Sequence, residues 1–230
     1  MQFYGFSKSP PVPCLKLVFM ARKWEKDKSR LAHRLSQLAA CKDDPMWLLI
    51  FPEGTNLSDN ARPKSLEYAK KHDLEHPKHE LLPRSTGLRF CLRNLKPSVH
   101  WLYDCTLAYE GVPEGDYPQD YYTLRSLYLE GNPPSGVHMH WRKFRIDTIP
   151  LGEDQKEEFE KWLSERWMEK DALLDHFYKH GQYPKEKMDV CVRTEVKLRN
   201  PIGDVFSIFA VLAFLAVISR IIILLGRLLK

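Results

Sequence analysis

The uneven placement of apolar residues constrains this 230-residue chain more than any other feature. Residues 205–226 carry a single charge, Arg220, whereas the stretch before them is densely charged. The mean hydropathy of −0.43 excludes a polytopic membrane protein, but it averages over two unlike regions. A helix over residues 205–226 rises about 33 Å at ~1.5 Å per residue, enough for a hydrocarbon core of about 30 Å. The pattern therefore predicts a C-terminal hydrophobic transmembrane helix. Arg220 lies off-centre, where snorkelling lowers a mid-bilayer cost of about 3 kcal/mol. Lys197 and Arg199 flank one end, Arg227 and Lys230 the other, so the orientation stays open. The alternative is a buried core helix, which at this length rarely lacks a polar face.

The remainder reads as a folded domain. Hydrophobic residues make up 43% and charged residues 28%, which excludes a disordered chain. The net charge of +5 is spread among acids rather than clustered, so nucleic acid is a poor partner. A mildly basic surface beside a membrane segment fits anionic lipid or a phosphorylated ligand better. The five cysteines form no Cys-x-x-Cys pair, which argues against structural zinc and a secreted disulfide framework. Reduced thiols facing cytosol are expected. No secretory signal is visible at the start, where Pro10, Pro11 and Pro13 interrupt a strand-like fragment.

Periodicity supplies the elements. Trp24, Leu31, Leu35 and Leu38 share one face of a helix over residues 24–41, and the apolar run 46–51 reads as a buried strand. A helix over 63–71, a short extended entry at 81–83 and a helix over 85–94, capped by Ser85, follow. Val99, Trp101, Tyr103, Cys105, Leu107 and Tyr109 alternate as a strand with one apolar face. Val137, Met139 and Trp141 alternate again, and the shift in phase to Phe144 and Ile146 predicts a bulge. Residues 153–180 form the clearest helix, with Phe159, Trp162, Leu163, Trp167, Leu174 and Phe177 on one side and Gly181 as its stop. That stripe reads as core-packing or membrane-facing, and less well as a partner-binding face. Strands alternate with helices, which predicts an α/β fold: a central mixed sheet flanked by helices, followed by the transmembrane tail.

Three strings carry chemistry. In Phe51-Pro52-Glu53-Gly54-Thr55 a strand ends, Pro52 fixes the backbone, and Gly54 permits close approach. Glu53 and Thr55 then present polar atoms at a strand end, where α/β folds place ligands. By physics alone such a string is a turn about as readily as a site. It resembles the third motif of the 1-acylglycerol-3-phosphate acyltransferases, a family of glycerolipid acyltransferases. Phe19-Met20-Ala21-Arg22 resembles the family's second motif. Leu81-Leu82-Pro83-Arg84-Ser85-Thr86-Gly87 resembles its fourth, in the lysophosphatidic acid and lysocardiolipin acyltransferase branch. The likeness covers residues 1–6 and 18–200.

The resemblance implies transfer of a fatty acyl group from acyl-CoA to the free hydroxyl of a lysophospholipid, in phospholipid biosynthesis or remodelling. It implies an endoplasmic reticulum or other endomembrane location, with acyl-CoA as co-substrate and no other cofactor. Arg22 would hold the acceptor's phosphate with its planar fork of donors. Glu53, Gly54 and Thr55 would line the glycerol-phosphate site, with Pro83 shaping the adjoining wall. Residues 1–110 would be part of the acyltransferase domain, 111–202 its α+β extension and 203–230 the membrane tail.

The family's general base is a histidine oriented by an aspartate five residues on. None of the nine histidines has an acid at that spacing, so no catalytic residue is assigned. The motif would belong upstream of Met1, and residues 7–17 read as an insertion. His100 and Asp104 share a strand face, outside the expected motif order. His72, His76 and His79 lie among Asp73, Glu75 and Glu80, but Pro77 breaks any common helical face, so a solvated loop is expected rather than a metal site. The competing function is a tail-anchored, non-catalytic protein that binds lipid or acyl-CoA.

Overall fold

The computed structural model describes residues 3–7, 16–18, 24–40, 46–187, 189–196, 214, 217, 218 and 220. The chain divides into two compact units, Met1–Met188 and Asp189–Lys230.

In the first unit, β1 (Phe3–Ser7) lies between β2 (Lys16–Val18) and β3 (Met46–Ile50), antiparallel to both. A separate two-stranded sheet joins β4 (Trp101–Tyr109) to β5 (Val137–Arg145), also antiparallel. The expected central mixed sheet is thus replaced by two small antiparallel sheets, with no parallel pair among the described residues. The physical reason lies in β4 and β5. Their strict alternation suits a sheet covered on one face, whereas parallel strands buried on both faces carry continuous apolar runs.

The β4–β5 ladder runs in one-to-one register from Trp101↔Arg145 to Tyr109↔Val137, so the expected bulge is absent. The apparent phase shift has another origin. Even-numbered residues of β5, polar until Phe144, face inward throughout, and the apolar Val137, Met139 and Trp141 are exposed.

Helix α1 (Trp24–Ala40) buries Leu31 and Leu35 against Cys91 and Leu95 of α3 (Ser85–Leu95). Between them, α2 (Ala61–Lys71) carries Pro63 in its first turn, where no intrahelical N–H bond is lost. Ser85 does not cap α3. Arg84 occupies the cap position, and the Ser85 hydroxyl donates to Glu160 Oε1 at 2.9 Å. Two short helices, α4 (Pro118–Tyr121) and α5 (Leu124–Tyr128), occupy the β4–β5 connection. Helix α6 (Lys156–His180) sets Phe159, Leu163 and Trp167 against Leu88, Leu92, Ile146 and Ile149. It ends at Gly181, whose φ of 70° is left-handed and whose N–H donates to the Phe177 carbonyl at 2.7 Å.

The transmembrane helix expected at residues 203–230 is not supported: among the described residues no helix is long and apolar enough to cross a membrane. The longest, α6, has 25 residues but carries acids and bases along its length. Of the tail itself only Phe214, Val217, Ile218 and Arg220 are described, each helical and exposed. The rest of that segment, and most of residues 7–17 read as an insertion, lie outside the described residues.

Candidate functional site

Strand β3 delivers the site. Its alternation sends Leu48 and Ile50 into the core, and Pro52 is buried just beyond its end. The chain then turns, with the Gly54 N–H donating to the Phe51 carbonyl at 3.2 Å. Gly54 has φ 77°, a left-handed conformation that a side chain would strain. Glu53 is half-buried at this turn, while Thr55 is exposed.

The Pro83 string is fixed beside it by three hydrogen bonds. Trp167 Nε1 of α6 donates to the Leu81 carbonyl at 3.0 Å, and the Leu82 N–H donates to Ser65 Oγ of α2 at 3.2 Å. The Arg84 N–H donates to the Pro52 carbonyl at 2.9 Å. Two strings 31 residues apart in sequence, around Pro52 and Pro83, are therefore joined backbone to backbone. Glu53, Gly54, Thr55 and Pro83 thus come together as one local assembly. Arg22 lies outside the described residues.

Beneath the turn sits an ionic cluster that the sequence reading missed. Buried Lys170 of α6 donates to Asp104 Oδ1 of β4 at 2.8 Å and to the Cys105 carbonyl at 2.7 Å. Arg142 of β5 grips the other oxygen of Asp104, at 2.6 Å from Nη2 and 3.1 Å from Nε. Asp171 is spent on the backbone N–H groups of Lys78 and His79, at 2.9 and 2.6 Å. Burial holds the Glu53 carboxyl above the usual carboxylate range. Its own backbone N–H and the charge of Lys170 oppose the rise, and Asp104 adds to it. Burial likewise pushes Glu80 up to about 8; Lys170 opposes this, and Glu53, Asp104 and Asp171 reinforce it. Glu80 Oε2 is buried without a hydrogen-bond partner.

One signal of this cluster was legible. Lys170 sits three residues after Trp167 and four before Leu174, inside the apolar stripe of α6, where a lysine needs a buried partner. That partner, Asp104, is 66 residues away, and nothing in the spacing identifies it.

Chemically, the turn offers a carboxyl group, a hydroxyl and tightly turned backbone to a polar ligand. The Asp104 carboxylate, engaged by Lys170 and Arg142, is held for structure rather than for orienting His100. The three loop histidines have separate partners. His72 packs against the Tyr68 ring with the planes tilted by 34°, His76 contacts Ser65 Oγ at 2.9 Å, and His79 contacts Asp175 at 3.3 Å. His79, Glu114 and Asp175 bring ligand-type atoms within 4.8 Å of one another. The Lys78 ammonium already bridges both of those carboxylates.

Comparison with known proteins agrees with the motifs. The family model described as acyltransferase C-terminus matches residues 128–202. The chain is 37% identical to 2-acyl-1-lysophosphatidylinositol acyltransferase of Saccharomyces cerevisiae, over 72% of this chain and 49% of that protein. It is 35% identical to lysocardiolipin acyltransferase 1 of Gallus gallus, over 72% and 41% respectively. It is 31% identical to probable 1-acyl-sn-glycerol-3-phosphate acyltransferase 5 of Arabidopsis thaliana, over 78% and 44%. The chain spans about half the length of the curated relatives it matches. No solved structure matches. The motif strings, the family model and these relatives together show that the chain belongs to the 1-acylglycerol-3-phosphate (lysophospholipid) acyltransferase family.

Proposed function

We propose that this protein acts in acyl-CoA-dependent acylation of a lysophospholipid and that the Phe51–Thr55 turn binds the acceptor. The observation that carries this reading is the Arg84-to-Pro52 hydrogen bond, which seats Pro83 against the turn holding Glu53. In the reaction the acceptor hydroxyl loses its proton and attacks the thioester carbon. The carbon–sulfur bond breaks, an ester forms, and the CoA thiol leaves with a proton. Glu53 and Thr55 hydrogen-bond the glycerol-phosphate portion, the Gly54 backbone approaches it closely, and Arg22 pairs with the phosphate. An endomembrane such as the endoplasmic reticulum is the natural location, because the acceptor resides there.

The competing reading is binding of lipid or acyl-CoA without turnover. It is favoured by one observation: no histidine of this sequence is followed at five residues by an acid. One experiment separates the two. Microsomes expressing the chain receive labelled oleoyl-CoA with lysophosphatidic acid, lysophosphatidylinositol or lysocardiolipin. Labelled diacyl product above the empty-vector level, lost in Glu53→Ala, is the expected result. Acceptor retention without product, lost in the same variant, overturns turnover in favour of binding. Neither product nor retention overturns both readings.

A further inference from the structure

The apolar face of the β4–β5 ribbon is the open one. Trp101, Tyr103 and Leu107 on β4 and Met139 and Trp141 on β5 are exposed large side chains on adjacent strands in register. Inward, the same strands present Asp104, Thr106, His140 and Arg142, the first and last of these belonging to the ion cluster. The inward face is mixed, since Leu102, Ala108 and Phe144 join the core beside these polar groups, whereas the open face gathers large apolar side chains that call for an apolar partner.

The patch extends to the candidate site. Trp47 of β3, 64% exposed, stacks on Tyr103 with ring centroids 6.0 Å apart and planes inclined by 14°. Leu49 and Phe51 continue on the same exposed side of the chain and lead into the Glu53 turn. The charges complete the picture. The outward positions of β4 and β5 hold no carboxylate, and their only charged residues, Lys143 and Arg145, cluster at one end. The Lys143 ammonium lies 5.0 Å from the Trp101 ring centroid, and Arg145 pairs with Asp147 at 2.6 Å.

Trp and Tyr rings with a basic fringe are the chemistry of a membrane–water interface. We infer that this face docks the protein onto the surface of an anionic lipid bilayer, with the Phe51–Thr55 turn at the border of the contact. Two features select a bilayer over a polypeptide. The outward strand positions carry cations and no carboxylate, with Lys143 turned to the headgroups while Arg145 is paired with Asp147, and the patch runs without a break into the site read as receiving a lipid. The inference rests on that reading only for the second feature, and its test requires neither acceptor nor turnover.

The test uses tryptophan fluorescence of the full chain with vesicles whose acyl chains are brominated. The vesicles are phosphatidylcholine alone or phosphatidylcholine with phosphatidylinositol. The chain has six tryptophans and residues 205–226 have none, so quenching reports the domain and not the apolar tail. Quenching of the wild type is expected, stronger with phosphatidylinositol. The combined Trp47→Phe, Trp101→Phe and Trp141→Phe variant should lose most of it. Met139→Glu, which keeps all tryptophans, should lose it too; circular dichroism checks that both variants fold. No quenching of the folded wild type, or quenching that survives in both variants, overturns the proposal. A dimer in light scattering that Met139→Glu dissociates, without vesicle quenching, overturns it in favour of a second copy of this chain.

Discussion

Lys170 is the residue on which the interior of the candidate site depends. Its side chain is 5% exposed, and it satisfies Asp104 and the Cys105 carbonyl while lowering the carboxyl pKa of both Glu53 and Glu80. Lys170→Met removes one partner of a buried pair and takes from Glu53 and Glu80 the cation whose charge lowers their pKa. Such losses cost about 3–5 kcal/mol. Urea denaturation should show a destabilisation of that order, and a change below about 1 kcal/mol would refute the role. Glu80 gives a pH signature. Its folded value of about 8 lies above the ordinary 4.5, so the folded state binds the proton more tightly. That contribution to stability is complete below about pH 4.5 and is lost as pH rises through about 8. Glu80→Gln, permanently neutral, should therefore flatten the fall in melting temperature across this window and melt higher than wild type at its alkaline end. An unchanged slope in differential scanning fluorimetry would count against a buried, protonated Glu80.

At the scale of the element, α6 organises the first unit. Its apolar stripe fills the core against α3, and its Trp167 holds the Leu81 carbonyl. Phe159 is fully buried there, and Phe159→Ala should destabilise by about 3–5 kcal/mol in the same denaturation assay. At the C-terminus of α6, no atom lies within 4 Å of where a Gly181 Cβ would be. Gly181→Ala is thus a purely conformational change, expected to cost about 1 kcal/mol. Sequence periodicity located this helix well because a 3.6-residue repeat is a local property. Its expected start at residue 153 moved to Lys156, since Gly152 to Gln155 form a turn closed by the Gln155 side chain on the Gly152 N–H at 2.9 Å. The β4–β5 ribbon was legible as alternation but not as orientation. Trp101 and Met139 mark one face of a strand equally well whether it meets a core or stands open.

For the whole molecule, the division between the two units falls, among the described residues, beside an exposed stretch. Residues 189–196 have no regular structure, and Val190, Val192 and Val196 are exposed beside Arg193. Brief trypsin treatment should cut after Arg193 before the first unit, seen as a fragment ending there by mass spectrometry. Protection of Arg193 while the first unit is cleaved would contradict the division. By itself the sequence determined the family, the turn after β3, the long helix and the glycine that stops it, all of which reside in short motifs or local repeats. Tertiary structure decided which sheets form, which face of the ribbon is open, and that Glu53, Glu80, Asp104 and Lys170 share one ionic cluster. Those outcomes depend on pairings across tens of residues, such as Lys170 with Asp104. Spacing carries no record of such pairings, because a side chain's burial and charge state belong to its neighbours in space.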